Sequence, residues 1–427
     1  MTAISLVLLT LALAAPEAKP AKAAAPSGQA AKFKLKPGAT GQVCLDCHGD
    51  FQDVVKKASV HTPVKSRDCS GCHNPHASDH GKLLAAEPGQ VCALCHDVVP
   101  ANAKSKHKVI SDKGCSACHD AHASANKYQL LKPQAELCGS CHKPITDGAA
   151  KSKYKHKPLE QQGCVACHEP HGSAKAGHLL KGEVPALCLG CHKTTTPIFA
   201  KAHLNYPVAK SNCTSCHDPH GSDKRGMLYN KVHPPVAKMM CGACHEPAGS
   251  ANPLATKEQA PQLCKACHGP KMAEMLDKKR VHQPVLEGKS CLTCHGPHAS
   301  RQNGLLRANA VVVCGTCHAD TIRRSEKALE KHEPVETGNC AACHDPHGGG
   351  GALLFVKQDR VELCAQCHDW AQHSTHPIGA KAIDPRNKNL RLDCLSCHRA
   401  HGTEFKKLMP YGTQTELCVK CHETYRR

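Results

Sequence analysis

Cys44-Leu45-Asp46-Cys47-His48 has the form Cys-x-x-Cys-His, and fifteen further copies follow it. The cysteine pairs are Cys44 and Cys47, Cys69 and Cys72, Cys92 and Cys95, Cys115 and Cys118, Cys138 and Cys141, Cys164 and Cys167, Cys188 and Cys191, and Cys213 and Cys216. The second half adds Cys241 and Cys244, Cys264 and Cys267, Cys291 and Cys294, Cys314 and Cys317, Cys340 and Cys343, Cys364 and Cys367, Cys394 and Cys397, and Cys418 and Cys421. These use all 32 cysteines, so none remains for a disulfide or a lone nucleophile. Two thiols three residues apart, with His directly after, make the attachment pattern of c-type haem. The thiols add across the two porphyrin vinyl groups and the imidazole reaches the iron. Zinc sites do not require that adjoining His, and a thioredoxin-like motif would occur once. The expected cofactor is therefore sixteen covalently bound haem c groups.

Composition agrees with that reading. The chain has 427 residues but only five Phe, six Tyr and one Trp. A chain of this length normally fills its core with large side chains. Here the porphyrins, roughly one per 27 residues, supply the missing apolar surface. The formal net charge of +19 would alone suggest an acidic partner. Two propionates per haem more than offset it, and no stacking-aromatic pattern accompanies the charge, so nucleic acid is not an expected partner.

Residues 1–15 carry an apolar run ending in Ala12-Leu13-Ala14-Ala15 and read as a signal peptide, although the usual basic start is missing. Residues 16–43 form an Ala/Lys/Pro-rich linker. The apolar run is too short to span a bilayer and no later stretch approaches a span. The mature chain is expected to be exported, with no transmembrane anchor.

From Cys44 the chain repeats in units of two motifs. Type A motifs follow an apolar residue, as in Val43-Cys44 and Leu137-Cys138. Type B motifs carry another His three residues after the first, as in His73-Asn74-Pro75-His76 and His217-Asp218-Pro219-His220. A third His precedes most B motifs by eight residues, often before Pro, as in His61-Thr62-Pro63 and His332-Glu333-Pro334. That Pro disfavours helix and places the His on an extended arm.

This arrangement resembles the doubled CXXCH motif family of multihaem cytochromes c, over Cys44 to His422. The resemblance implies electron transfer through bis-histidine haems in the periplasm or at the cell surface.

Of 34 His, sixteen are proximal: His48, His73, His96, His119, His142, His168, His192, His217, His245, His268, His295, His318, His344, His368, His398 and His422. The arm set is His61, His107, His156, His203, His233, His282, His332 and His376. The set three residues beyond a B motif is His76, His122, His171, His220, His298, His347 and His401. Both sets are expected distal ligands. By number and proximity, the arm His are assigned to B-type iron. The second set lies one turn from its own proximal ligand and is assigned to neighbouring A-type iron. The irregularity is at Cys241, where Ala248 replaces the extra His and no A motif intervenes after Cys213. Both facts suit a unit that lost an A haem together with its ligand. One A-type centre at a chain end, His48 or His422, is then left over. His80, His178 and His373 fall outside the pattern.

Two imidazoles per iron leave no open position, and His in place of Met keeps potentials low. The expected function is an electron conduit, not an enzyme. A multihaem nitrite or hydroxylamine oxidoreductase and a subunit of an extracellular cytochrome filament remain as alternatives. Expected partners are donor and acceptor cytochromes, an outer-membrane porin, or copies of the chain itself. The expected location is the periplasm or, alternatively, the cell surface. The expected fold is mostly irregular coil with short α-helices around a haem-stack core, almost no β-sheet, in an elongated repeat array. Two eight-haem arrays are expected, residues 44–230 and 231–427.

Overall fold

A computed structural model describes residues 41–351, 353–369, 376–379 and 381–425. The expected signal peptide, most of the linker, and His373 lie outside the described residues. Contacts divide the chain into two units: residues 41–143 with 163–181, and residues 144–162 with 182–425. Residues 224–238, beside the irregular motif, lie within the second unit.

Secondary structure is brief, as expected. Most helices run three to six residues, and the strands are nearly all two residues long. Most A-type motifs sit on short helices, three of them capped at their start by a side chain. Asn309 accepts from the Val312 N–H, Asp359 from Val361 and Glu362, and Thr413 forms a reciprocal cap with Glu416. Most B-type motifs instead make one 3-10 turn, such as Cys69–Gly71 and Cys340–Ala342, while Cys394–Cys397 is a short α-helix. In both types the proximal His N–H donates to the carbonyl of the first Cys, for example His48 to Cys44 at 2.9 Å and His73 to Cys69 at 3.0 Å. That single closed turn carries both sulfurs and the imidazole together.

The arms differ from the sequence reading in one respect. His61 is extended (φ −62°, ψ 135°), but the following Pro opens a helical turn, Thr62–Lys65, where helix was expected to be discouraged. The same holds at Pro234–Ala237, Gln283–Leu286 and Glu333–Glu336. Proline at the first or second helical position removes an N–H that has no acceptor within the helix anyway.

Four arms are latched to a later segment by a two-residue antiparallel pairing, and those of His156 and His332 by a single bridge, Tyr154 with Ser222 and Glu330 with Thr403. Ser59–Val60 pairs with Ala123–Ser124, Ser105–Lys106 with Gly172–Ser173, Lys231–Val232 with Ala299–Ser300, and Arg280–Val281 with Gly348–Gly349. The close approach requires small residues, and Ala123 and Ser173 are fully buried. Few large residues are buried at all: Leu45, Val91 and Leu363 are the bulkiest. The chain exposes 31056 Å², against about 16,000 Å² for an ordinary folded protein of this mass. The polypeptide alone leaves uncovered the surface that a large apolar cofactor would cover.

Candidate haem ligand pairs

Imidazole rings meet in pairs throughout the described chain. His61 faces His96 with ring centroids 5.8 Å apart, and His107 faces His142 at 6.1 Å. His156 faces His192, His233 faces His268, His282 faces His318, and His332 faces His368, at 5.9 to 6.1 Å. His376 faces His422 at 6.1 Å. The second series joins His73 with His122, His119 with His171, His245 with His298, His295 with His347, and His344 with His401, at 5.9 to 6.1 Å. Most of these rings are near parallel, at 7° to 30°.

The spacing is too wide for packed rings and right for a metal between them. A metal–imidazole bond of about 2 Å on each side, plus the distance from nitrogen to ring centre, sets centroids about 6 Å apart. Tautomers agree. Nδ1 of His73 donates to the Lys82 carbonyl at 2.9 Å, that of His119 to Tyr128 at 2.7 Å, and that of His168 to His178 at 2.9 Å. The same bond recurs from His217, His245, His295, His344 and His398. Arm rings do likewise: Nδ1 of His61 donates to Ala121, of His107 to Pro170, of His156 to Pro219, of His233 to Pro297, and of His282 to Pro346. A carbonyl only accepts, so Nδ1 holds the proton and Nε2 keeps its lone pair, the arrangement that a metal-binding imidazole needs. Burial pushes His122, His171, His298, His347 and His401 below the usual imidazole range, favouring the neutral form. The residues fit haem held from both faces.

The partners differ from the expected ones. Arm imidazoles face A-type proximal rings, not B-type. The His three residues past a B motif faces the proximal His of the preceding B motif, not an A-type one. The reason is the strand latch: the His61 N–H donates to the His122 carbonyl at 2.9 Å, so both rings hang from one pairing and reach two different motifs. The expectation that such a His skips its own iron agrees with the ring positions. His422, one candidate for the leftover centre, faces His376. His76 and His220 hold equivalent turns, their N–H groups bonded to Asn74 and Asp218. Of the spare His, His80 lies 3.2 Å from Glu87, and His178 serves through its carbonyl. That use was invisible in the sequence.

His203 is the exception. It faces B-type His217 at 6.2 Å with planes at 64°. Its Nδ1 donates to Phe199 within its own helix, Pro197–Ala202.

The sulfurs mark how neighbouring motifs meet, their thiols standing for thioether positions. Cys44 lies beside Cys69, Cys92 beside Cys115, Cys264 beside Cys291, and Cys364 beside Cys394. Second cysteines meet in the next step: Cys72 near Cys95, Cys118 near Cys141, Cys294 near Cys317, and Cys343 near Cys367. Burial and the Cys115 thiol push Cys92 up to about 11. Motifs consecutive in sequence are thus neighbours in space within each unit.

Short helices, scant strand and paired imidazoles at attachment motifs define a multihaem cytochrome c, the class of electron-transfer proteins. Eight segments match the family model of the doubled CXXCH motif, residues 61–101, 107–146, 156–197, 205–232, 233–273, 282–323, 332–373 and 388–427, and the chain belongs to that family. Six of these segments begin at an arm His and end just past the A motif that it faces. The segment 205–232 is short and holds one motif. The chain is also similar to multiheme cytochrome MtrA of Shewanella baltica (strain OS185), 30% identical over 169 residues, covering 38% of this chain and 43% of that relative. The match spans less than half the relative's length.

Proposed function

We propose that the chain carries sixteen haem c groups, nearly all held by two imidazoles, and conducts electrons between redox proteins outside the cytoplasm. The observation that carries this is the recurring imidazole pair, about 6 Å across, with Nδ1 engaged on a carbonyl. Haem, when bound, supplies a one-electron couple at each motif. The chain's own residues do the rest. The Cys pairs would fix each porphyrin edge, and within each unit consecutive Cys pairs lie together, which would bring successive edges close. Paired His rings would hold the iron from both faces and so keep substrate away. Imidazole in place of thioether sulfur holds the potentials low. Donor and acceptor cytochromes are the partners this chemistry suits, and the N-terminal leader suits export.

Intact mass and low-temperature electron paramagnetic resonance (EPR) spectroscopy test the reading together. The expected result is the mass of sixteen attached haems with a dominant low-spin ferric signal. A mass equal to the bare polypeptide, or a mainly high-spin spectrum, overturns it.

A further inference from the structure

The residue directly after each B-type proximal His is variable: Asn74, Asp120, Glu169, Asp218, Glu246, Gly296, Asp345 and Arg399. Its structural task is small. Asp120 accepts the His122 N–H at 2.9 Å, Asp345 accepts that of His347 at 3.0 Å, and Asn74 does the same for His76 at 3.2 Å. An amide oxygen therefore serves this turn as well as a carboxylate, and the charge is free for another use.

That charge sits against the distal ring. Asp120 Oδ1 lies 3.9 Å from His122 Nδ1. Lys82 also faces His122, from an exposed position and more weakly. At His347 the corresponding Asp345 lies 3.6 Å away but is ion-paired with Lys278. At His298 the position is Gly296, and only other imidazoles act on the ring.

A carboxylate near a ligating imidazole favours the more positive ferric state and lowers the potential, while a cation raises it. We propose that Asp120 lowers the potential of the centre held by His73 and His122 relative to that of the centre held by His245 and His298, where Gly296 supplies no charge. This rests on the bis-imidazole reading above.

The test uses the full haem-loaded chain in two variants: Asp120→Asn and Gly296→Asp. Mass and EPR spectroscopy are recorded first, then an optical redox titration of each variant against the native chain. Asp120→Asn keeps the cap, as Asn74 does, and is expected to move one haem's share of the titration to higher potential. Gly296→Asp is expected to move one haem's share lower, at the centre of His245 and His298. Curves that superimpose on the native one in fully loaded, low-spin variants, or shifts of opposite sign, overturn the proposal. A native chain short of haem or mainly high-spin overturns the underlying reading instead.

Discussion

The stretch around Cys213 and the stretch from His233 to His318 follow different rules, and the difference explains the repeat. In the regular stretch, His233 passes over its own B motif to face His268, and His245 is faced by His298 from the next B motif. Around Cys213 both steps fail. No A motif follows for His203 to reach, and Ala248 stands where the ring for His217 belongs. The two imidazoles left without partners face each other instead. Losing one A motif and one distal His thus leaves no vacancy here, because each loss supplies what the other needs. The expected account, an A haem lost with its own ligand, is corrected: the ring missing at Ala248 would have served His217, and the arm of the lost A motif is His203.

This comparison breaks most sharply at His203. His203→Ala is expected to remove one axial ligand outright and turn one low-spin haem high-spin, leaving the others unchanged by EPR spectroscopy. Ala248→His alone is expected to change little. Placed on the His203→Ala background it restores the regular arrangement and the low-spin signal. A His203→Ala protein with no high-spin component refutes the substitution of one ligand for the other.

A smaller effect distinguishes the two regions by their bracing. Tyr206 donates to the Glu246 carbonyl at 2.9 Å, and Arg301 grips Asp218 with two nitrogens while lying over the Tyr229 ring. Asp218 is 11% exposed. Burial would raise its pKa, but hydrogen bonds from His220 and Arg301 hold it well below the usual carboxylate range. Arg301→Met strands that carboxylate. Loss of a fully buried pair costs about 3–5 kcal/mol; with Arg301 half exposed, about 2 kcal/mol is expected after allowing for solvent screening. Lys278→Met at the more open Asp345 pair is expected to cost less, about 1 kcal/mol. Both are read from denaturant unfolding of the loaded chain. A depressed carboxylate stabilises the fold above its unfolded pKa, near pH 4, and ceases to as pH falls through the folded value. The gap between Arg301→Met and the native chain should therefore close in acid. A gap that widens instead counts against the ion pair.

The attachment chemistry was legible in the sequence because covalent spacing dictates it: each motif needs only five consecutive residues. The candidate distal residues were legible too, as His at fixed offsets. Which ring faces which was not. That is decided by two-residue pairings such as Ser59–Val60 with Ala123–Ser124, between segments far apart in sequence and too short to leave an alternating pattern. The sign of the proline signal also depended on tertiary context. Proline after the arm His marks the start of a helical turn, where the chain needs no N–H.

The finest difference lies in the turn that presents a carbonyl to each B-type proximal ring. At several motifs that residue is left-handed without being glycine: Lys82 at φ 58°, Tyr128 at φ 61°, Lys407 at φ 58°. Beside the irregular motif it is Gly226 at φ 71°, and after His298 it is Gly304 at φ 63°. A Cβ at either glycine would meet nothing within 4 Å, so only backbone strain separates the two residue types. A left-handed L-residue costs about 1–2 kcal/mol, while glycine costs about 0.5–1 kcal/mol in chain entropy. Lys82→Gly is therefore expected to stabilise by about 0.5 kcal/mol, and Gly226→Lys to destabilise by a similar amount. Thermal unfolding of the loaded chain reads both. The paired signs matter more than either size, since a side-chain role for Lys82 would make its loss destabilising, whereas a turn serving only to aim a carbonyl at His73 gains from glycine.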